Sequence, residues 1–267
     1  MNQHLKQLNL KLGRRVDQGG LDAIPRALSR KDCPLPAGTT GFDLWNAYEV
    51  SFLLPDGKPE VYHLQAQYSA DSPNMVESKS FKLFLNSFND QVFDHVSTFQ
   101  AHVAEKLSAC VAGPVSLHFF SPETSPTPRP MAGICLDKLH AENYPKVYTP
   151  DLLKRENSTS RFKFYSHLLR TLCPVTGQPD WGTVAIEGSG PYQPVASDLL
   201  AYLIGYRNHQ DFHETCCETI FSDLYQFLDP GTLRVSCHYT RRGGLDINPV
   251  RARGALKPFE PTHVWRQ

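Results

Sequence analysis

What this chain of 267 residues lacks narrows its function before any motif is read. It has no excess of charge, since 27 Lys and Arg stand against 27 Asp and Glu. A dedicated nucleic-acid binder carries a basic footprint, so no nucleic-acid partner is expected. No apolar run approaches the roughly 18 to 20 residues of a membrane helix, and the opening MNQHLKQLNLKLGRR lacks the apolar centre of a secretory signal. A cytoplasmic protein without a membrane partner is therefore expected. The seven cysteines include no CxxC pair and follow no zinc-finger spacing, which favours reduced thiols. The dinucleotide fingerprint GxGxxG and the Walker A loop are both absent. Gly188-Ser189-Gly190-Pro191 is only a glycine cluster ending in proline. Any nucleotide is then held outside the usual α/β scheme. What remains is a chain 40% hydrophobic and 11% aromatic, enough for a packed core.

The organisation is modular. Residues 1–40 are polar and turn-rich and read as an N-terminal arm. Leu44 to Leu53 and Val61 to Tyr68 are aromatic and β-branched, with Pro55-Asp56-Gly57-Lys58 as the turn of a hairpin. Val92, Phe93, Val96, Phe99, Val103 and Leu107 recur at helical spacing, and Pro114 to Phe120 reads as a strand. The run Ser121 to Pro130, dense in Pro, Ser and Thr, stops regular structure. Beyond it the plan repeats. Arg161 to Leu169 and Trp181 to Glu187 read as strands, Asp198 to Arg207 as a short helix, and Leu233 to Tyr239 as an alternating strand. Between the last two, a longer helix carries Cys217, Ile220, Phe221, Leu224, Phe227 and Leu228 on one face and stops at Asp229-Pro230-Gly231. Each half thus reads β-β-α-α-β. A short echo, FNDQVF at 88–93 against RNHQDF at 207–212, fits a duplicated module. The expected boundaries are an arm at 1–40, a first module at 41–125, a crossover at 126–158 and a second module at 159–267.

Several residues have chemical potential. Cys173 lies in LCPVTGQPDW, where Pro174, Gly177 and Pro179 stiffen a loop that Asp180 closes. It reads either as a nucleophilic thiol or as a small packed hydrophobe. Phe212-His213-Glu214 opens the long helix behind a capping Asp211. It suits either that helix start or the edge of a flat heterocycle. Cys216 falls one turn beyond His213. Glu77-Ser78-Lys79-Ser80-Phe81-Lys82 reads either as a ligand loop or as a helix start capped by serine. Arg241-Arg242-Gly243-Gly244 suits a phosphate or a basic turn. Cys173, His213 and Cys216 together would serve as the ligands of an open zinc site, the alternative chemistry.

Read in order, these blocks resemble a known family. They are IPR at 24–26, GFDLWNAYEVSFL at 41–53, ESKSFKLFLNSF at 77–88, YSHLLRTLCPVTGQPDWG at 165–182, FHE at 212–214 and RRGGLDINPVR at 241–251. Together they are similar to the NADPH-dependent 7-cyano-7-deazaguanine reductases, the nitrile reductases of queuosine biosynthesis, in their long two-module form. Thr171-Leu172 departs from the polar pair expected before the cysteine. The resemblance implies an α+β protein of two tandem tunnelling-fold (T-fold) modules, each an antiparallel sheet with two helices on one face.

The implied chemistry follows from the same blocks. Cys173 would attack the nitrile to give a covalent thioimide, and Asp180, its pKa raised by burial, would protonate the nitrogen. Val76, Glu77, Ser78, Phe212, His213 and Glu214 would bind the substrate, 7-cyano-7-deazaguanine. Ser78, Lys79, Arg242 and Gly243 would contact NADPH, consumed two per substrate. No metal is implied. A homodimer with sites where modules meet is expected, as is a protective disulfide between Cys173 and Cys216 under oxidation.

Overall fold

The computed structural model describes residues 20–31, 33–158 and 161–267. Most of the expected arm, residues 1–19, lies outside them. The described chain forms two compact units: one of residues 20–29, 42–127 and 241–247, the other of residues 30–41, 128–240 and 248–267.

Unit one starts with a short strand, β1 (Ala23–Pro25), and a one-turn helix, α1 (Arg26–Arg30). The hairpin follows as β2 (Thr40–Leu53) and β3 (Pro59–Ser69). Its turn closes because Gly57 adopts a left-handed φ of 85° and Asp56 Oδ1 accepts the Lys58 amide at 3.0 Å. Then come β4 (Asn74–Val76), α2 (Ser78–Asn86), α3 (Val96–Val111) and β5 (Val115–Phe120). The strands run antiparallel in the order β5-β3-β2.

Helix α3 begins at Val96, so Val92 and Phe93 are not its first turn, as their spacing suggested. They lie in an extended segment whose Phe93 amide donates to Leu53 O at 2.9 Å. The buried stripe is Phe99, Val103, Leu107 and Val111, a strict four-residue repeat. Phe99 meets the rings of Phe52, Phe88, Phe93 and Phe119 at 4.7 to 5.7 Å. Each such pair adds about 0.5–1.5 kcal/mol beyond burial.

Unit two repeats the sequence of elements. It contains β6 (Ile134–Cys135), β7 (Arg155–Asn157), β8 (Arg161–Leu172), β9 (Pro179–Ser189), β10 (Tyr192–Pro194), α4 (Ala196–Ile204), α5 (His213–Leu228), β11 (Thr232–Tyr239) and β12 (Leu245–Arg253). The first three residues of β12 count with unit one. The order is β12-β11-β9-β8-β6, antiparallel except for the short β6, which runs parallel to β8. Helices α2 and α4 both have 9 residues, and α3 and α5 both have 16, so the two units match element for element.

Three sequence expectations shift in unit two. The short helix ends at Ile204 and passes into a 3-10 turn, because Gly205 follows it. β9 begins at Pro179, so Asp180 is a strand residue and not the closing residue of a loop. Phe227 is only half-buried. Helix α5 nevertheless hides eleven of its sixteen residues, far more than one face. The reason is local. Residues 33–41 cover its outer side, with Ser222 Oγ donating to Pro34 O at 3.5 Å, and Glu218 is clamped by Arg30 and Arg251, each at 2.7 Å. No helix among the described residues is long and apolar enough to cross a membrane.

Candidate active site

The Cys173 loop is built by backbone bonds at both ends. Cys173 follows β8 and is half-buried. Its amide donates to Gln178 O at 2.8 Å, and its carbonyl accepts from Gly177 at 2.9 Å, where a left-handed φ of 68° lets the chain reverse. The segment before α5 grips the same loop. Leu172 N donates to His209 O at 2.8 Å and Leu172 O accepts from Asp211 N at 3.2 Å. Gln210 Nε2 donates to both Cys173 O at 3.0 Å and Pro174 O at 3.2 Å. The thiol is therefore carried on a loop with little backbone freedom.

Asp180, opposite Thr171 in the ladder, is 2% exposed. His213, the first residue of α5, sets Nε2 3.3 Å from Asp180 Oδ2 and its ring edge-on to Tyr239 at 4.2 Å. The helix cap is Phe212 and not Asp211, which turns back to accept the Phe212 amide at 2.8 Å. Glu214 is buried in the first turn, where a carboxylate suits the helix dipole. Cys216 and Cys237 are also buried, and burial pushes both thiols well above their ordinary range. They are packed neutral side chains. All seven cysteines are free.

The second group lies in unit one. Val76 ends β4, paired with Ala23. Glu77 follows, 4% exposed, and it is Glu77 rather than a serine that caps α2. One carboxylate oxygen accepts from Lys79 N at 2.9 Å and the other from Ser80 N at 2.6 Å. Two donors of the helix start are thereby satisfied. Ser80 Oγ bonds back to Glu77 O at 2.8 Å, which frees its register neighbours Ser78 and Lys79 to face solvent. Arg242-Gly243-Gly244-Leu245 is a tight turn with φ of 59° and 86° at the glycines and Arg242 N donating to Leu245 O at 2.8 Å. A Cβ on Gly243 would fall 2.8 Å from Lys82 Nζ, so this turn and helix α2 are in contact. Arg241 is engaged differently, over the Tyr48 ring at 4.3 Å.

Cys173, Asp180, Phe212, His213 and Glu214 thus belong to unit two. Val76, Glu77, Ser78, Lys79, Arg242 and Gly243 belong to unit one. The sequence reading missed Gln210 as the anchor of the cysteine loop. The echo between 88–93 and 207–212 was the signal that pointed to its segment. It also gave no role to Tyr239. Among the described residues no group of three or more His, Cys, Asp or Glu side chains is arranged to hold a metal ion, so nothing supports the zinc alternative built on Cys173, His213 and Cys216.

A rigidly presented thiol, with a buried carboxylate and an imidazole paired nearby, defines an enzyme that works through a cysteine nucleophile. Comparison with known proteins narrows the class. Residues 14–119 match the family model described as nitrile reductase, 7-cyano-7-deazaguanine-reductase N-term, and residues 179–257 match QueF-like protein. The NADPH-dependent 7-cyano-7-deazaguanine reductases of Acinetobacter baumannii strains AYE and SDF are each 43% identical over 247 residues, 91% of either chain. The chain belongs to this family of nitrile reductases, and its two units are T-fold modules. A crystal structure of the archaeosine synthase QueF-Like in the apo form shares 16% identity, covers 37% of this chain and 95% of its own, and gives a TM-score of 0.32.

Proposed function

We propose that this protein reduces the nitrile of 7-cyano-7-deazaguanine to the primary amine of 7-aminomethyl-7-deazaguanine, a step of queuosine biosynthesis, and that it does so through a thioimide on Cys173. The observation that carries the reading is the loop that presents Cys173, together with the Asp180–His213 pair. A nitrile carbon is a weak electrophile. Addition of the Cys173 sulfur makes a C–S bond, converts C≡N to C=N, and leaves the nitrogen in need of a proton. Asp180, buried and therefore favoured as the neutral acid, gives that proton. Bound NADPH supplies hydride, two equivalents per substrate because nitrile to amine takes four electrons. After the first reduction the C–S bond breaks, Cys173 leaves as thiolate, and an imine remains for the second. His213, in contact with Asp180, returns the proton that the acid gave up.

Glu214 and Glu77 accept the N–H donors of the heterocycle, Phe212 lies against its face, and Val76 and Ser78 complete the contact. Glu77 does so with acceptor capacity left over from its cap, since an ionised carboxylate offers about four lone-pair sites. The donor set for NADPH fits a phosphorylated dinucleotide: Ser78 and Lys79 are solvent-facing, and Arg242 and Gly243 form a turn with no side chain at its crest. Lys82, in contact with that turn, adds a third cation. Family membership supports a homodimer and a reducing compartment in which these thiols stay free.

Mixing the protein with 7-cyano-7-deazaguanine alone should add the substrate mass to the intact chain, and Cys173→Ala should add nothing. NADPH oxidation at the wild-type rate by Cys173→Ala would refute the covalent route. Absence of any nitrile-dependent NADPH oxidation would refute the activity itself.

A further inference from the structure

The T-fold sheet of unit two has two faces, and the chemistry above uses one. Along β9 the side chains alternate. Asp180, Gly182, Val184 and Ile186 share the face of α5, whereas Ala185 and Glu187 look the other way. On β11, Arg234, Ser236 and His238 share that other face. There the sheet and the segment 257–262 enclose a cavity of about 500 Å³. It shares no residue with the Cys173 group, and its nearest β9 residue is five positions from Asp180, about 17 Å along the strand.

Its lining is unevenly charged. Lys163, Glu187 and Arg234 stand side by side across three strands. Glu187 serves both cations, taking Arg234 Nη1 at 2.7 Å and Lys163 Nζ at 3.3 Å. Arg129 and Lys257 add two further cations at the wall, against one more carboxylate, Glu260. Four cations therefore face two carboxylates in a protein whose overall charge is zero. The buried His238 adds no charge, because burial holds its pKa down at about 4. Arg234 is the centre of the arrangement. Its Nη2 donates to Lys257 O, and its ring partner is Phe259 at 5.6 Å, but its Nε is buried without a hydrogen-bond partner. A buried guanidinium N–H left unmade, in a cavity with surplus positive charge, is satisfied by the oxygen of an anion.

We propose that this cavity is a second ligand site, which takes a small molecule carrying two or more adjacent negative charges, of the phosphate or polycarboxylate kind. Arg234 and Lys163 bind from the sheet, and Lys257 and Arg129 close over the ligand from the rim. The site is a feature of unit two alone. The matching ladder row of unit one, Leu44, Gln67 and Ser116, carries no charge.

The test is calorimetric titration of the full chain with pyrophosphate and, separately, with citrate. Both are run with saturating NADP⁺, so that the dinucleotide site does not contribute, and at constant ionic strength set by chloride. Saturable binding of one or both is expected, weakened at least tenfold by Arg234→Gln and at least threefold by Lys257→Ala. Binding of pyrophosphate alone assigns the phosphate class, and of citrate alone the polycarboxylate class. If Arg234→Gln fails to fold by circular dichroism, the exposed Lys257 side chain decides by itself. No saturable binding of either probe under NADP⁺, or binding unchanged in the folded variants, overturns the proposal.

Discussion

The two hairpins of the molecule are built alike and equipped differently. In unit one, Leu53 ends β2, its amide donates to Gln91 O at 2.8 Å and its carbonyl accepts from Phe93 N at 2.9 Å. In unit two, Leu172 ends β8 and makes the same two bonds to His209 and Asp211. Both loops close on a left-handed glycine, Gly57 and Gly177, whose amides donate to the first loop residue. That residue is Leu54 in one and Cys173 in the other. The second residue of the returning strand is Glu60 in one and Asp180 in the other. Glu60 is partly exposed and held by Lys58 and Tyr62, each at 3.0 Å. Asp180 is buried against His213. A duplicated frame therefore supplies position only. Reactivity comes from which residue opens the loop, and from whether the nearby carboxylate is solvated or sealed.

That comparison can be broken in graded ways. Cys173→Ala should lower turnover about 10⁴-fold or more and abolish the adduct, whereas Leu54→Ala should leave the adduct intact, both read by mass and by NADPH oxidation. Asp180→Asn should cost about 10²–10⁴-fold in kcat. Glu60→Gln should cost nothing in the same assay, and an equal loss at both positions would mean that the difference in burial is irrelevant.

Stability should also divide between the units. Glu218→Gln strands the buried Arg251, with an expected loss of about 3–5 kcal/mol in urea unfolding. The exposed Lys106–Glu105 pair of unit one should be worth at most about 1 kcal/mol. pH adds a second axis. Burial holds His238 neutral down to a pKa of about 4, while the unfolded histidine protonates near 6.5. The unfolded state then binds more protons below 6.5, so stability should fall as pH drops from about 6.5 to 4, by about 3 kcal/mol. His238→Gln should flatten that slope. The matching position in unit one is Phe120, which has no proton to gain.

The smallest effect tests the grip on the loop. Gln210→Ala removes two bonds to the carbonyls of Cys173 and Pro174. It should slow adduct formation about tenfold, worth about 1.4 kcal/mol, with KM for NADPH unchanged. Val92→Ala, at the equivalent bridge position of unit one, should change neither quantity.

Much of this frame was legible because it is local. The hairpin turn at Pro55 to Lys58, the alternation of β11 and the four-residue repeat of α3 are periodicities that short-range geometry imposes. The echo between 88–93 and 207–212 marked the right segments, yet by sequence it aligns Gln91 with Gln210, whereas the ladder aligns Gln91 with His209. A register of one residue is set by pairing across the fold, which no local pattern reports. For the same reason Val92 and Phe93 imitate a helix while serving a bridge, and Asp180 was placed in a loop although the ladder takes it into β9.

The sequence by itself determined the repeated element order, the stiff cysteine loop and the resemblance that membership in the nitrile reductases bears out. Each is written in residues close together along the chain. Only the tertiary structure decided that Glu77 is spent on capping α2, that His213 meets Asp180, that Gln210 holds the loop, and that Lys163, Glu187 and Arg234 share one row. Those pairings join residues 3 to 71 positions apart through strand register and helix docking. The free energy that selects them is that of burying polar groups only where a partner is waiting.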